Sequence, residues 1–258
     1  MNSTLGLFYG FDVYYLILVI PALILSMVAQ GMVKSTFHTY SQKATRSGYT
    51  GSTAARRILD SNNLRQVRIE QVPGQLTDHY DPRSQILRLS DSTYASPSIA
   101  AIGVAAHESG HAIQHAAGFW PNKARSALVP VANIGSQFGP YLAIFGIILG
   151  SSPLTTAGIW LFSGAVLFYL ITLPVEFDAS RRAIRILEDQ GMMTEEELGG
   201  AKKVLRAAAM TYIASTLVAF ANLMRLILLA RSRDDRRRKR LVGIRITKRD
   251  KLKYYIQQ

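Results

Sequence analysis

The chain of 258 residues contains no cysteine. This absence excludes disulfide bonds and thiolate metal ligands, so any bound metal ion must be held by histidine, aspartate or glutamate. Histidine is itself scarce, with five residues in the whole chain. Because the possible ligands are so few, two histidines at a regular spacing carry information about chemistry.

Acidic residues are also in short supply, with 17 Asp and Glu against 30 Lys and Arg and a formal net charge of +13. Residues 231–258 hold twelve Lys and Arg against three Asp, so about +9 of that charge lies in this tail. A polybasic segment that follows apolar residues 207–230 is typical of contact with anionic lipid at a membrane surface. Nucleic acid is the less favoured partner, and a solvated tail without a specific partner is the simplest alternative.

Charge is missing altogether from two long runs. Residues 13–33 contain no charged side chain over 21 positions, enough to cross a bilayer. No basic segment precedes this run and no cleavage site follows it, which indicates an uncleaved anchor. Since basic residues appear only after it, from Lys34 onward, we expect residues 1–10 outside and residue 34 onward in the cytoplasm.

The second run, residues 126–175, is free of charge over 50 positions and is interrupted by the sequence GSSP at 150–153. It predicts two crossings joined by a tight outer turn, with both ends on the cytoplasmic side. A third apolar stretch, residues 207–230, follows a capping box formed by Thr194 and Glu197. Its length favours a crossing and the basic tail opposes one, so three or four membrane helices are expected.

These boundaries predict five parts along the chain: a membrane anchor (1–33), a cytoplasmic part (34–125), a transmembrane hairpin (126–175), a region with a further apolar helix (176–230) and a basic tail (231–258). Polar residues fill much of the second part. There, residues 51–62 read as a short amphipathic helix, and residues 67–70 and 85–89 alternate as strands around a turn at 81–84.

The sequence HESGH at 107–111 carries the chemistry. Ser96 as N-cap, Pro97 at the first helical position and Gly118 as the stop predict a buried helix around it. Two histidines four residues apart lie on one helix face and can chelate one metal ion, and Glu108 lies where it can reach water on that metal. This spacing is found in zinc peptidases. The alternative is a chance occurrence on an ordinary helix.

A catalytic zinc site needs a third protein ligand. His115 extends the series by another turn, but about 6 Å per four residues places it too far along the helix axis. His38 and His79 are unsupported candidates. Glu176 is favoured, because Pro174 is predicted to start a new helix whose first turn suits a carboxylate.

The alternative for Glu176 is an ion pair with Arg181 or Arg182 at the membrane surface. Asp178 is expected on another side of that helix and therefore away from the metal. Ala179, Ser180 and Ala183 share the face of Glu176, and these small residues predict close packing against the motif helix.

Three segments and the charge-free hairpin carry a resemblance to a known family. The segments are HESGHAIQH, LPVEFDASRRA and LTDHYDPRSQILRLSDSTYASPS. Over about residues 1–230, the chain resembles the YugP-like family of neutral zinc metallopeptidases of bacterial membranes. The layout is more distantly similar to the HtpX and CAAX-prenyl-protease class of membrane zincins. This resemblance implies one Zn²⁺ per chain on His107, His111 and Glu176, with Glu108 as the general base. The distant class usually has an aspartate where this chain has Ser180, which puts a supporting role of that position in doubt.

The resemblance implies a mainly α, integral membrane, gluzincin-type fold with three or four membrane helices and a small β-hairpin edge. It also implies a metalloendopeptidase of the bacterial inner membrane. The active site is expected to face the cytoplasm, because the predicted topology places both the HESGH helix and Glu176 on that side. As in other zincins, an edge strand ahead of the motif helix is expected to pair with substrate. The candidates are Ile86, Leu87, Arg88 and Leu89, with a purely structural hairpin as the alternative.

Two further questions stay open in the sequence. Tyr212 and Arg181 are both candidates to support the oxyanion. The rival to an enzyme is a non-catalytic zinc-binding membrane scaffold, in which a fourth side chain such as His79 or His115 would close the metal site.

Overall fold

The computed structural model describes residues 12–256, with side chains described for residues 12–235. Within these bounds the chain is mainly helical with one small sheet. A π-helical turn, Tyr15–Val19, leads into the first helix. The elements that follow are α1 (Ile20–Ser41), α2 (Gly51–Ser61), β1 (Arg68–Val72), β2 (His79–Asp81), β3 (Ile86–Ser90), α3 (Asp91–Tyr94), α4 (Ile99–Ala116), α5 (Trp120–Leu149), α6 (Ser152–Asp189) and α7 (Glu195–Ile256).

Within the described part of the chain, four helical segments are long and apolar enough to cross a membrane, judged by length and composition: Tyr15–Ser41, Trp120–Leu149, Ser152–Asp189 and Glu195–Asp235. The fourth contains the apolar stretch for which the sequence left the number open. Between the second and third lies the turn predicted at 150–153, where Gly150 adopts φ +86°. This left-handed conformation suits glycine, which has no Cβ to clash.

The described chain forms two compact units. The first contains the described parts of residues 1–21, 130–166 and 219–258, and the second contains residues 22–129 and 167–218. The lipid prediction for the basic tail stays a prediction, because side chains beyond residue 235 lie outside the described part.

In the first unit, Arg225 is buried within the apolar stretch of α7 and is paired. Its Nη2 lies 2.7 Å from Oδ2 of Asp12, and its guanidinium lies 5.1 Å from the ring centre of Tyr15. A charged side chain in an apolar environment is costly unless it is paired, so this contact explains how α7 accommodates an arginine.

The second unit holds the sheet, whose strand order is β1-β3-β2. β3 pairs in parallel with β1 and antiparallel with β2. The prediction that Ile86–Ser90 is an edge strand is therefore wrong, because its neighbours occupy both sides and the Ser90 amide donates to Asp78 at 2.8 Å. Leu87 and Leu89 are fully buried. The candidate residues Ile86, Leu87, Arg88 and Leu89 consequently cannot receive a substrate strand.

The motif helix α4 begins two residues later than the sequence predicted. Ser98, not Ser96, is the N-cap, and its Oγ accepts a hydrogen bond from the Ala101 amide at 3.2 Å. The reason is tertiary, because the Thr45 amide donates to the Pro97 carbonyl at 2.9 Å and holds residue 97 in a paired, extended segment. The predicted stop is confirmed, since Gly118 adopts φ +64° just beyond the last turn.

The buried core of the second unit surrounds α4. Ile102 and Ala106 of α4 pack with Ile58 of α2, Leu187 of α6 and Leu198 of α7. The predicted capping box of α7 is also present, with the Thr194 amide donating to Glu197 at 2.8 Å and the Glu197 amide donating to Thr194 at 3.3 Å. Because α4 is held from three directions, the side chains on its remaining face are placed with little freedom.

Candidate metal centre

His107 and His111 lie one turn apart on α4, as their spacing requires. Their ring centres are 4.7 Å apart and the rings meet edge to face. Each side chain is 12% exposed, so both imidazoles are largely withdrawn from water. Two nearly buried imidazoles on one helix face need polar partners, and the structure supplies them from α6.

Glu176 reaches the histidines from the middle of a helix. The prediction that Pro174 starts a new helix is wrong, because α6 runs unbroken from Ser152 to Asp189 with Pro174 inside it. A proline removes only one backbone hydrogen bond, and long apolar helices packed among neighbours tolerate that loss. The position of Glu176 therefore depends on helix packing and not on a helix N-terminus.

The packing that matters is the close approach of α4 to α6. A Cβ added at Gly110, inside the HESGH motif, would lie 2.8 Å from the carbonyl oxygen of Ala179. Ala179 and Ala183 are fully buried. The predicted small-residue face of α6 is thus confirmed, and glycine is the residue that allows the two backbones to meet.

This approach brings together three candidate ligand atoms. Oε2 of Glu176 lies 3.3 Å from Nε2 of His107 and 3.6 Å from Nε2 of His111. His107, His111 and Glu176 each offer one ligand atom, and these atoms all lie within 4.8 Å of one another. The sequence predicted these three residues, and the structure places them side by side.

The arrangement fits a zinc ion. Nitrogen and oxygen ligands about 2.0–2.1 Å from a tetrahedral zinc lie roughly 3.3 Å from each other, close to the two separations between Glu176 and the histidines. Oε2 of Glu176 is buried and has no hydrogen-bond partner among the described residues. A buried carboxylate oxygen without a donor is costly, and a cation between it and the two imidazoles would remove that cost.

Further side chains fix the tautomer of His111. Its Nδ1–H donates to Oε1 of Gln114 at 3.0 Å. The Gln114 amide is oriented in turn, because its Nε2 donates to the Val175 carbonyl at 2.8 Å and to Oδ2 of Asp178 at 2.9 Å. With Nδ1 engaged in this way, the lone pair of Nε2 points to the candidate metal position.

Ser180 supports the other imidazole. Its hydroxyl lies 3.1 Å from Nδ1 of His107. The sequence left a supporting role for this position in doubt, because the distant class of membrane zincins usually has an aspartate there. The structure places Ser180 in hydrogen-bonding contact with the ring, so a neutral hydroxyl occupies the place where a carboxylate would add negative charge.

Arg125 is the residue that sequence reasoning missed. Its Nη1 lies 3.3 Å from Oε1 of Glu176, on the oxygen that does not face the histidines. The expected alternative partner, Arg182, pairs instead with Asp178 at 2.6 Å. A signal was present, because Arg125 is the last charge before the charge-free run and Glu176 is the first charge after it.

Two other groups belong to the surroundings of His111 and Glu176. Glu108 is 8% exposed and lies near His111. The Tyr212 side chain forms a hydrogen bond with Glu176 and is influenced by the charges of Glu108 and Arg125. Of the two candidates for oxyanion support, Tyr212 therefore adjoins the site, whereas Arg181 is exposed and lies near Asp178.

The remaining histidines lie outside this group. His115 Nδ1 is 3.0 Å from the Tyr80 hydroxyl, which agrees with the prediction that this residue lies too far along the helix to be a third ligand. His79 is exposed and its Nδ1 lies 2.9 Å from the Thr77 carbonyl, and His38 is exposed on α1. Among the described residues, the group that could hold a metal ion therefore has three members.

The charge balance of the site also affects proton binding. Burial on its own lowers the pKa of His111, but the carboxylates of Glu176 and Glu108 outweigh it, and the pKa is raised. A raised pKa means that a proton competes with a cation for the same imidazole, so metal binding is coupled to proton release.

Comparison with known proteins agrees with this geometry. Residues 15–231 match the model of a family described as "Putative neutral zinc metallopeptidase". The chain belongs to this family of zinc metallopeptidases, and its four apolar helices are those of a membrane protein.

Among individual proteins, the chain is similar to a curated relative of Bacillus subtilis (strain 168) named "Putative membrane protease YugP". The two are 48% identical over 215 residues, which cover 83% of this chain and 96% of the relative. No solved structure matches the chain.

Proposed function

We propose that this chain is a membrane-embedded, zinc-dependent metalloendopeptidase of gluzincin type that hydrolyses peptide bonds of proteins at the cytoplasmic membrane face. The observation that carries the proposal is the buried Oε2 of Glu176, which has no hydrogen-bond partner among the described residues and faces the Nε2 atoms of His107 and His111 at 3.6 Å or less. Two histidines and a glutamate as ligands, with a further glutamate such as Glu108 that is not a ligand, are the donor set of a hydrolytic zinc site.

Zinc held by His107, His111 and Glu176 would supply Lewis acidity, which lowers the pKa of water and polarises a substrate carbonyl. Glu108 accepts the proton of the attacking water and delivers it to the leaving amine. The Tyr212 hydroxyl is a donor for the oxyanion, since it interacts with the carboxylate of the candidate ligand Glu176. Arg125 holds the far oxygen of Glu176 and so orients its near oxygen.

The second candidate, a non-catalytic zinc scaffold, would need a closed site with four protein ligands. His115 and His79 were the candidates for the fourth position, and both have other hydrogen-bond partners. Three ligands leave a position for water, which favours the enzyme.

We expect a zinc chelator to abolish cleavage of an unfolded protein substrate by the purified full chain. Because the metal supplies several kcal/mol of transition-state stabilisation, the loss should be about 100-fold or more. Stoichiometric Zn²⁺ should restore the rate and Mg²⁺ should not, since imidazole ligands suit zinc better. Cleavage can be followed by release of labelled peptides, beside metal analysis of the same sample. Activity that persists in protein shown to be metal-free would reject the zinc mechanism, and zinc-loaded protein without any cleavage would favour the scaffold.

The cytoplasmic orientation of the site rests on the basic residues that follow the first apolar run. The absence of cysteine makes it testable by labelling single introduced thiols. In intact cells of the bacterial host, we expect a membrane-impermeant maleimide to label Ser152→Cys at the hairpin turn and to spare Gln42→Cys just beyond α1. Both positions are exposed in the structure, so accessibility differs only through the membrane. The reverse labelling pattern would invert the proposed topology.

A further inference from the structure

A groove of about 350 Å³ lies between α1 and α7 within the second unit. Its wall on α1 includes Met32, Thr36 and Tyr40, and its wall on α7 includes Lys203, Arg206 and Met210. These residues recur every three or four positions, so each wall is one continuous helix face. The volume is in the range of sites that bind small molecules.

The groove lies where two apolar runs end. On α1 the charge-free run stops at residue 33, one position beyond Met32. On α7 the apolar stretch begins at residue 207, one position after Arg206. The apolar part of the groove therefore belongs to both membrane-length segments, and its polar part belongs to the ends of those segments. A cavity of this kind matches the boundary between acyl chains and headgroups.

The polar part carries positive charge. Lys203 and Arg206 are exposed, and neither pairs with a carboxylate among the described side chains. On the opposite wall the Thr39 hydroxyl donates to the Ser35 carbonyl at 2.9 Å, whereas the hydroxyls of Ser35 and Thr36 have no partner within the described chain. Two cations and two hydroxyl donors line the same groove, which is the donor set for a phosphate group.

Close packing gives the groove a fixed shape. Phe37 of α1 and Val204 of α7 are buried together with Ala100 of α4. A Cβ added at Gly200 would lie 2.6 Å from the ring of Tyr40. The two helices are thus in direct contact along one side, and the groove is the space that this contact leaves on the other side.

We propose that this groove binds an anionic phospholipid. Lys203 and Arg206 bind the phosphate together with the hydroxyls of Ser35 and Thr36, and an acyl chain lies along Met32 and Met210. Charge complementarity selects the occupant, because a zwitterionic lipid carries its own cation beside the phosphate and gains less from two basic side chains. The site is separate from the metal centre, so its occupancy does not depend on the proposed peptidase activity.

The test is native mass spectrometry of the full chain in detergent, titrated with dioleoylphosphatidylglycerol or dioleoylphosphatidylcholine. We expect the first retained phosphatidylglycerol to bind about 10- to 30-fold more tightly than phosphatidylcholine, from about 1 kcal/mol for each of two basic residues. The double variant Lys203→Gln/Arg206→Gln should bind phosphatidylglycerol about 10- to 30-fold more weakly than the unaltered chain. Lys202→Gln is the matched control, because Lys202 is exposed, adjacent in sequence and not part of the groove.

The basic tail is present in all three proteins, so lipid bound there contributes equally to each measurement. Equal affinity of the unaltered chain for the two lipids would overturn the proposal without reference to any variant. An unchanged affinity of the double variant for phosphatidylglycerol, or an equally weakened one in the Lys202→Gln control, would also overturn it. Displacement of phosphatidylglycerol by equimolar inorganic phosphate would show a site for free phosphate, which contradicts a lipid site.

Discussion

Glu108→Gln is expected to retain zinc and to lose proteolysis by about 100- to 10,000-fold, the range typical of removing a general base. The substitution keeps the size and the hydrogen-bonding shape of the side chain but removes the group that accepts a proton. Glu108 lies beside His111 and is not a member of the three-residue ligand group. The measurement is kcat for an unfolded protein substrate, together with zinc content per chain.

The matched control for this variant is Glu196→Gln, an exposed glutamate in the first turn of α7 that should keep full activity. Unchanged cleavage by Glu108→Gln would reject Glu108 as the base. Loss of both zinc and cleavage would instead show that Glu108 contributes to metal binding. The paired measurement separates a proton-transfer defect from a metal-binding defect.

The parts of the fold that follow from local chemistry could be predicted from the sequence. The turn at 150–153, the Gly118 stop and the Thr194–Glu197 capping box each depend on neighbours within a few residues, and each is present. Apolar runs of membrane length are likewise a property of one segment at a time. The grouping of His107, His111 and Glu176 was also predictable, because a hairpin that returns to its starting side brings its two ends together.

The parts that depend on distant neighbours could not be predicted in this way. Gln114 acts through Val175 and Asp178, which lie more than sixty residues further along the chain. β2 is three residues long, too short for an alternating pattern, yet its pairing turns β3 from an edge strand into a central one. Pro174 is tolerated inside α6 by its surroundings, whereas a local rule predicts a helix start. In each case tertiary packing overrides a local preference.

Small residues connect the local sequence pattern with the tertiary packing. Gly110 belongs to the motif only as a spacer, but its missing side chain allows the Ala179 backbone to approach α4. That contact sets the distance from Glu176 to both imidazoles. The candidate metal site therefore depends on a glycine that is not itself a candidate ligand. Because Gly110 lets the two helices approach closely, a motif of five residues can position a candidate ligand that lies 65 residues downstream of His111.

Glu176→Gln is expected to lower zinc affinity by more than about 100-fold, beyond the 10- to 100-fold typical of losing a supporting contact. The amide keeps the side-chain volume but removes the negative charge that Oε2 presents to a cation between the two imidazoles. It also leaves Arg125 without its carboxylate, so a modest loss of thermal stability should accompany the loss of metal. Zinc content and competition with a chromogenic chelator measure the first effect, and the melting temperature of the metal-free protein measures the second.

Glu188→Gln is the control for this variant, because Glu188 is exposed near the end of the same helix. It should bind zinc as tightly as the unaltered chain. Full zinc occupancy in Glu176→Gln would show that another side chain completes the site, and Asp178→Asn would then be the next variant, since Asp178 already contacts Gln114 behind His111. If Asp178→Asn alone removes zinc while Glu176→Gln does not, the ligand belongs to residue 178, and the unpaired Oε2 of Glu176 has a different role.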